Sequence, residues 1–219
     1  MPLLVFASAV MGFLLGSIPT GLLVGRARGV DIRAHGSKNI GATNAFRVLG
    51  ARWGALVFAL DLLKGLVAVL AAKMLAVEAA PPGPTDAMHF LTFSLVGGVA
   101  AILGHVFTPW LRFQGGRGVA TSLGVFLGIV PWPTLLAFAL WAVLFAISKR
   151  VSVGSIGAAV AYPALVWFLG SEGSRGIVTA VAAAVAALVL VRHIPNIRRL
   201  LSGTEPPTIS ARAPKAERT

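Results

Sequence analysis

The sequence contains no cysteine and few charged residues, and both absences restrict what the protein can be. Without cysteine the chain forms no disulfide, no thiolate metal site and no cysteine nucleophile. The four histidines (His35, His89, His105 and His193) do not have the spacing of metal ligands, so we expect neither a metal nor another cofactor. Only 12% of the 219 residues are charged and 57% are hydrophobic, a composition too apolar for a soluble domain.

Hydrophobic residues lie in runs long enough to cross a lipid bilayer. The first run, residues 3–24, has no charged residue and reaches the about 20 residues that a spanning helix needs. No basic residue precedes it, unlike a secretory signal, so we expect it to remain as a membrane helix. Because an isolated strand cannot satisfy its backbone in lipid, every span should be a helix. The predicted spans are residues 3–25, 53–76, 88–105, 117–131, 133–148, 153–170 and 176–192.

The predicted fold class is therefore all-α, a polytopic membrane helix bundle of about seven transmembrane helices. Residues 1–205 are predicted to form a single integral membrane domain. Residues 206–219 contain proline and charge without a hydrophobic period, which predicts a flexible cytoplasmic tail. The run Pro-Pro-Gly-Pro at 81–84 predicts an external loop. Pro131 and Pro133 shorten the fourth and fifth spans, where a re-entrant pair is the alternative.

The net charge of +12 follows the pattern of membrane topology rather than that of nucleic-acid binding. Basic residues are concentrated in alternate loops, as the positive-inside rule requires. These loops are residues 26–52, 112–117, 149–150 and the segment from 192 onward. We therefore predict an N-terminus outside, a C-terminus in the cytoplasm, and no nucleic-acid partner.

Three polar segments contain nearly all the residues capable of chemistry. They are residues 16–50, 104–124 and 192–205, and on the predicted topology all three face the cytoplasm. Polar loops that converge at one membrane face can form one site. The alternative, ordinary cytoplasmic loops, explains single arginines and lysines but not the glycine, serine, asparagine and threonine content.

The second segment contains glycines around one arginine: Gly115, Gly116, Arg117 and Gly118. Glycine lets the backbone approach an oxyanion, and a helix that begins here presents free N–H groups. Arg117 adds a bidentate fork for phosphate. Walker spacing and a preceding strand are both missing, so a nucleotide loop is not indicated. The alternative is a tight turn between helices with one arginine that sets topology.

The first segment offers neutral hydrogen-bond donors and one cation, Arg47. Ser37, Asn39, Thr43 and Asn44 suit a phosphate or a developing oxyanion. A series of turns that cap the next helix is the alternative.

In the third segment His193 and Asn196 share a helix face if the helix continues through Pro195. His193 then either carries a proton or anchors the chain at the interface. Within the second span, Asp61 and Lys64 lie one turn apart and should neutralise each other.

Taken together, these segments resemble the bacterial membrane glycerol-3-phosphate acyltransferases that use acyl phosphate as donor. The chain departs from that family in two segments: it has Gln114 and Arg117 where the family usually has lysine, and Ile194-Pro195 where it usually has a charged pair. The matching residues are Gly16-Ser17-Ile18-Pro19, Gly36-Ser37, Asn39-Ile40-Gly41-Ala42-Thr43-Asn44, Arg47, Gly104-His105, Phe107, Gly115-Gly116, Gly118-Val119-Ala120-Thr121, His193, Asn196-Ile197, Arg199-Leu200-Leu201, Gly203 and Glu205.

The resemblance implies transfer of a fatty acyl group to the sn-1 hydroxyl of glycerol 3-phosphate, giving lysophosphatidic acid and phosphate. It implies a multi-pass protein of the bacterial inner membrane with its site at the cytoplasmic face. We expect glycerol 3-phosphate, acyl phosphate and membrane lipid as partners, and a monomer.

The resemblance also implies roles for individual residues. Because both substrates are phosphates, we assign Ser37, Asn39 and Arg47 to the donor or its carbonyl, and the glycine loop with Arg117 to glycerol 3-phosphate. His193 and Asn196 would orient the acceptor or the leaving phosphate. The residues implied as catalytic are Ser37, Asn39, Arg47, His193 and Asn196. Those implied in substrate binding are Gly41, Thr43, Asn44, Gly104, His105, Gly115, Gly116, Arg117, Gly118, Thr121 and Glu205.

Two other functions fit parts of the sequence. One is a small transporter or flippase for a phosphorylated metabolite or lipid, in which Asp61, Lys64 and the anion-binding loops would line the transport pathway. However, the polar groups gather on one face, and the sequence has no internal repeat. A non-catalytic scaffold would not explain the glycine-rich loops.

Overall fold

A computed structural model describes residues 1–80 and 87–208, and this part of the chain is helical. Three short 3₁₀ turns, Ile32–Ala34, Pro109–Leu111 and Glu172–Ser174, lie in the loops. The helices are α1 (Pro2–Ser17), α2 (Thr20–Ala27), α3 (Ala42–Leu49), α4 (Ala51–Glu78), α5 (Ala87–Val106), α6 (Val119–Ile129), α7 (Pro131–Ser148), α8 (Val151–Leu169), α9 (Arg175–Arg192) and α10 (Ile194–Leu201).

Six helical segments of the described residues are long and apolar enough to cross a membrane. They confirm the predicted all-helical, multi-pass bundle. The segments are Pro2–Ala27, Ala51–Glu78, Ala87–Leu111, Pro131–Ser148, Val151–Leu169 and Glu172–Arg192.

The predicted fourth span, 117–131, is only the short helix α6. Its 11 residues are about 17 Å long, whereas the hydrocarbon core is about 30 Å thick. The helix begins at Val119, because Gly118 adopts a left-handed conformation (φ 86°). It ends at Ile129, because helical geometry is unfavourable for Val130, which precedes Pro131. The structure therefore has six helices of spanning length in its described part, and a seventh that is about half as long.

Helix α6 lies along the second half of α4. The backbone of Thr121 packs on Gly65, and Lys73 Nζ donates to the carbonyl of Gly128 at 2.8 Å. Helix α6 thus starts near the level of Asp61, about 15 Å along α4 from Ala51. The glycine loop that precedes α6 is accordingly recessed within the bundle.

The first predicted span is interrupted at residues 18 and 19. Helix α1 ends at Ser17 and α2 starts at Thr20, because Pro19 has no N–H for a helical hydrogen bond. Lys64 Nζ donates to the freed carbonyl of Ile18 at 2.9 Å. The Thr20 hydroxyl donates to Asp61 at 2.6 Å, and Asp61 and Lys64 form the predicted ion pair at 2.7 Å.

The C-terminal residues of the described chain pack on the start of α8. The N–H of Thr208 donates to the carbonyl of Lys149, and its hydroxyl oxygen accepts from the N–H of Val151. The tail predicted from residue 206 is therefore held as far as Thr208. The rest of that tail, 209–219, and the predicted loop at 81–84 lie outside the described residues.

Candidate active site

The three polar segments of the sequence meet at one cavity. Helices α6, α7, α8 and α9 extend this cavity away from the polar residues with apolar side chains, among them Phe126, Phe138 and Val185. The predicted site residues that line the cavity are Ser37, Asn39, Gly41, Thr43, Asn44, His105, Arg117, Gly118 and His193. The space thus has a polar end and a hydrocarbon-like end, as an amphiphilic ligand requires.

Asn44 fixes the loop that forms one side of the polar end. Its side-chain oxygen accepts from the N–H of Ser37 at 2.8 Å, and its amide donates to the carbonyls of Ile32 and His35 at 2.7 and 3.2 Å. Asn39 makes a turn of its own, since its side-chain oxygen accepts from the N–H of Gly41 at 2.8 Å. These two asparagines therefore stabilise turns, which is the structural role considered above as the alternative to ligand binding. The hydroxyl of Ser37 makes no hydrogen bond within the described chain.

The glycine loop is held from both sides by the protein itself. The N–H groups of Gly115 and Gly116 donate to the carbonyls of Val106 and His105 at 3.0 Å. Arg192 donates to the carbonyls of the same two glycines, at 3.0 and 3.3 Å. A Cβ on Gly116 would overlap the ring of His105. These glycines therefore allow close packing, and their N–H groups are not free for an oxyanion.

Free donors at this end come from the start of α6 and from Arg117. The first-turn N–H groups of a helix have no carbonyl partner in the preceding turn. Arg117 lines the cavity and makes no hydrogen bond or ion pair within residues 1–80 and 87–208. A half-buried guanidinium without a partner calls for an external anion.

The charge around Arg117 is strongly positive. Its pKa is lowered to about 10, chiefly by burial and also by the neighbouring charges of Arg199, Arg47 and Arg192, against the opposing effect of Glu205. A negative ligand would relieve this repulsion.

Glu205 does not pair with Arg117, because its carboxylate is already occupied. It accepts hydrogen bonds from Ser152 at 2.9 Å, from Asn196 at 2.7 Å and from Arg199 at 2.6 Å. Burial alone would raise the pKa of Glu205, but these hydrogen bonds bring it below its ordinary value. The positive charge at the polar end of the cavity is thus only partly compensated.

His193 reaches the cavity as a neutral imidazole. Burial, and next the charge of Arg117, lower its pKa to about 4. Its Nδ1 lies 2.8 Å from the carbonyl of Val189, which can only accept, so Nδ1 carries the proton. Nε2 then has a lone pair that can accept a hydrogen bond from a ligand hydroxyl.

Several predicted site residues do not line the cavity. Asn196 points to Glu205 instead, although its N–H bonds to the carbonyl of His193 at 2.8 Å, so the two side chains do not act as one pair. Arg47 donates to the carbonyl of Pro206 at 3.2 Å. The residues outside the lining are Arg47, Gly104, Gly115, Gly116, Thr121, Asn196 and Glu205.

Other polar residues line the cavity without having been predicted as site residues. Ser122 has a buried hydroxyl without a partner in the described chain, and Ser155 lies on α8. Asp61, whose role the sequence left open, also lines it. The serines at 152 and 155, three apart at the start of a predicted span, were a signal that could have found this part of α8.

Comparison with known sequences identifies relatives over nearly the whole chain. A family model described as glycerol-3-phosphate acyltransferase matches residues 6–203. The glycerol-3-phosphate acyltransferase of Geotalea daltonii is 47% identical over 193 residues, which cover 88% of this chain and 92% of that protein. The one from Geobacter sulfurreducens is 46% identical over 195 residues, covering 89% of this chain and 93% of that protein.

Two crystal structures of PlsY, an integral membrane glycerol 3-phosphate acyltransferase, share this fold. The glycerol 3-phosphate form matches with a TM-score of 0.80 at 35% identity, and the lysophosphatidic acid form with 0.77 at 34%. Each comparison covers 93% of this chain and 94% of the other. On the family model and these relatives, the chain belongs to the glycerol-3-phosphate acyltransferase family.

Proposed function

We propose that this chain transfers a fatty acyl group from acyl phosphate to the sn-1 hydroxyl of glycerol 3-phosphate, giving lysophosphatidic acid and phosphate. The observation that carries the proposal is the cavity, which joins the unpaired cation Arg117 to a groove of apolar side chains. Membership of the acyltransferase family supports the reaction, and a relative of known structure has forms named for glycerol 3-phosphate and lysophosphatidic acid.

The proposed orientation has seven crossings, the N-terminus outside and the site at the cytoplasmic face of the bacterial inner membrane. The basic residues in alternate loops support it. The contact of Lys73 with the carbonyl of Gly128 supports counting α6 as a crossing, because it brings the end of α6 close to the end of α4.

The reaction needs charge stabilisation more than a strong nucleophile. The hydroxyl oxygen of glycerol 3-phosphate bonds to the acyl carbon, and the bond from that carbon to the phosphate oxygen breaks with its electron pair on phosphate. The hydroxyl proton leaves on the phosphate, so no protein group changes its charge overall. Acyl phosphate carries a good leaving group, and holding the two substrates together supplies much of the remaining acceleration.

We assign phosphate binding, stabilisation of the acyl oxygen and orientation of the attacking hydroxyl to particular residues. Arg117 and the start of α6 would bind phosphate oxygens. The free hydroxyl of Ser37 would donate to the acyl oxygen as negative charge develops there. His193 Nε2 would orient the attacking hydroxyl, because a histidine with a pKa of about 4 stays neutral and is a weak base at pH 7.

The test offers single donors to the purified protein in detergent. With glycerol 3-phosphate present, palmitoyl phosphate should give equal amounts of lysophosphatidic acid and phosphate. Palmitoyl-CoA and palmitoyl acyl carrier protein should give little product, because the predicted cytoplasmic loops are short and hold no nucleotide fingerprint. Efficient turnover with the thioesters alone would contradict the donor. Absence of lysophosphatidic acid with every donor would contradict the enzyme and favour a transporter.

A further inference from the structure

The apolar part of the cavity ends at the same depth on four helices. In each helix the lining residue farthest from the polar end is Phe126 on α6, Thr134 on α7, Tyr162 on α8 or Ala182 on α9. On α9 the distance from His193 to Ala182 is about 16 Å at 1.5 Å per residue. On α8 the distance from Val151 to Tyr162 is about the same.

Contacts between α6, α7 and α8 close the far end. The hydroxyl of Thr134 donates to the carbonyl of Val130 at 2.8 Å, and it lies 2.8 Å from the hydroxyl of Tyr162. A threonine has one hydroxyl proton, so Tyr162 is the donor to Thr134. The ring of Tyr162 also packs edge-on against Phe126, with centroids 4.9 Å apart.

Beyond this layer, the side chains of α8 and α9 are packed in the hydrophobic core. Val166, one turn past Tyr162 on α8, is 0% exposed, and Val178, one turn past Ala182 on α9, is 1% exposed. Both belong to the hydrophobic core that contains Tyr162 and Ala182, and neither lines the cavity. A ligand that enters from the polar end therefore meets a wall at Tyr162.

Small residues keep the groove open before that wall. Ala158 and Ala159 on α8 line the cavity, as do Ala182 and Ala186 on α9. Larger side chains at these positions would fill the space between the two helices. The available length thus depends on Tyr162 and its neighbours, and the width depends on these alanines.

We propose that Tyr162, held by Thr134 and packed on Phe126, sets the longest acyl chain that the enzyme accepts. The proposal rests on the proposed function, because the occupant of the groove is the acyl chain of the donor. Both hydroxyls are satisfied by each other and by the carbonyl of Val130, so a terminal methyl group meets no unpaired polar atom there. A chain that is too long must bend or withdraw its carbonyl from the polar end.

The first experiment compares Tyr162→Ala with Tyr162→Phe. Purified wild type and variants receive lauroyl, myristoyl, palmitoyl and stearoyl phosphate, and kcat/KM is measured for each. One methylene in an apolar pocket changes discrimination by about 10-fold or more, so Tyr162→Ala should raise the stearoyl-to-lauroyl ratio of kcat/KM by at least about 10-fold. Tyr162→Phe keeps the ring and should keep the wild-type optimum.

The second experiment fills the groove and does not depend on removing a core side chain. Ala182→Leu should move the optimum to shorter chains, whereas the control Ala183→Leu, at an exposed neighbouring position, should leave it unchanged. If the wild type is active and both Tyr162→Ala and Ala182→Leu keep its chain profile, the chain leaves the groove before Tyr162 and the inference is wrong. If the wild type is inactive with every acyl phosphate, the proposed function itself fails.

Discussion

Arg117 is a half-buried cation beside other arginines, and the part of the chain that the structure describes gives it no partner. We expect Arg117→Ala to lower kcat/KM for glycerol 3-phosphate by about 10-fold or more, the effect typical of one lost charge-assisted hydrogen bond. Arg117→Lys should recover part of the activity, because it keeps the charge but not the bidentate fork. Steady-state kinetics in detergent measures both.

Arg198 provides the matched control for that substitution. It is exposed, lies on α10 and does not line the cavity. Arg198→Ala should therefore retain wild-type kinetics. Unchanged kinetics in Arg117→Ala as well would show that Arg117 serves membrane topology only, which is the alternative that the sequence left open.

His193 should stay neutral far below the usual histidine range. Its pKa is lowered to about 4 from 6.5, so between these pH values the unfolded chain binds a proton that the folded chain does not. The contribution of His193 to stability is then complete above pH 6.5 and decreases as the pH falls towards 4. Nitrogen NMR of labelled histidine should show Nδ1 protonated and Nε2 unprotonated at pH 6.

The variant His193→Asn assigns that NMR signal by its disappearance. Its unfolding midpoint should depend less on pH between 4 and 6.5 than that of the wild type. A His193 signal that titrates near 6.5 would contradict both the neutral tautomer and its proposed role in orienting the hydroxyl.

At the scale of the helical elements, the break between α1 and α2 depends on charges in α4. Asp61 and Lys64 are paired, and each also bonds to the broken segment, through Thr20 and the carbonyl of Ile18. Removing one partner of a buried ion pair typically costs about 3–5 kcal/mol, because the other charge is left uncompensated.

We therefore expect Asp61→Asn to lower the thermal unfolding midpoint in detergent strongly. The double variant Asp61→Asn with Lys64→Met should be more stable than the single variant, because it leaves no unpaired ammonium group. If the double variant is the less stable one, the ion pair is not the main interaction at the break.

Much of this architecture could be predicted from the sequence, and the exceptions have local causes. The length of the hydrophobic runs was sufficient to predict the long helices. The spacing of Asp61 and Lys64 was sufficient to predict the ion pair inside α4. The sequence did not show that α6 would begin at Gly118, because its left-handed conformation depends on the loop around it. The break at Pro19 was also missed, since the residues on either side are as apolar as a continuous span.

Within the site, the pattern predicted which segments meet but not which atoms are free. The N–H groups of Gly115 and Gly116 are not free, because the carbonyls of Val106 and His105 at the end of α5 accept hydrogen bonds from them. Helical spacing predicted that the side chain of Asn196 would lie beside that of His193. Instead it donates a hydrogen bond to Glu205 and does not line the cavity. Such contacts join residues nine to eleven positions apart, and they have no signature in helical or turn spacing. Of the two cations predicted as site residues, Arg117 lines the cavity and Arg47 does not.

For the whole molecule, the absence of native cysteine makes orientation directly testable. Ser171→Cys lies in a loop predicted to face outward, and Ser202→Cys lies after α10 on the predicted cytoplasmic side; both serines are exposed. In intact spheroplasts a membrane-impermeant maleimide should label the cysteine at 171 only. Lysis should then allow labelling at 202, and the reverse order would contradict the proposed orientation.

The recessed start of α6 has a consequence for how the product leaves. Helix α4 is about 42 Å long, so about 12 Å of it extends beyond a 30 Å hydrocarbon core. In the proposed orientation, with that excess on the cytoplasmic side, Asp61 lies about 15 Å along α4 and so about 3 Å inside the edge of the hydrocarbon core, next to the glycerol and ester layer of the inner leaflet. We therefore expect the new ester to be made at the depth where it will reside, so the finished lipid needs to diffuse only sideways, while soluble glycerol 3-phosphate descends to meet it.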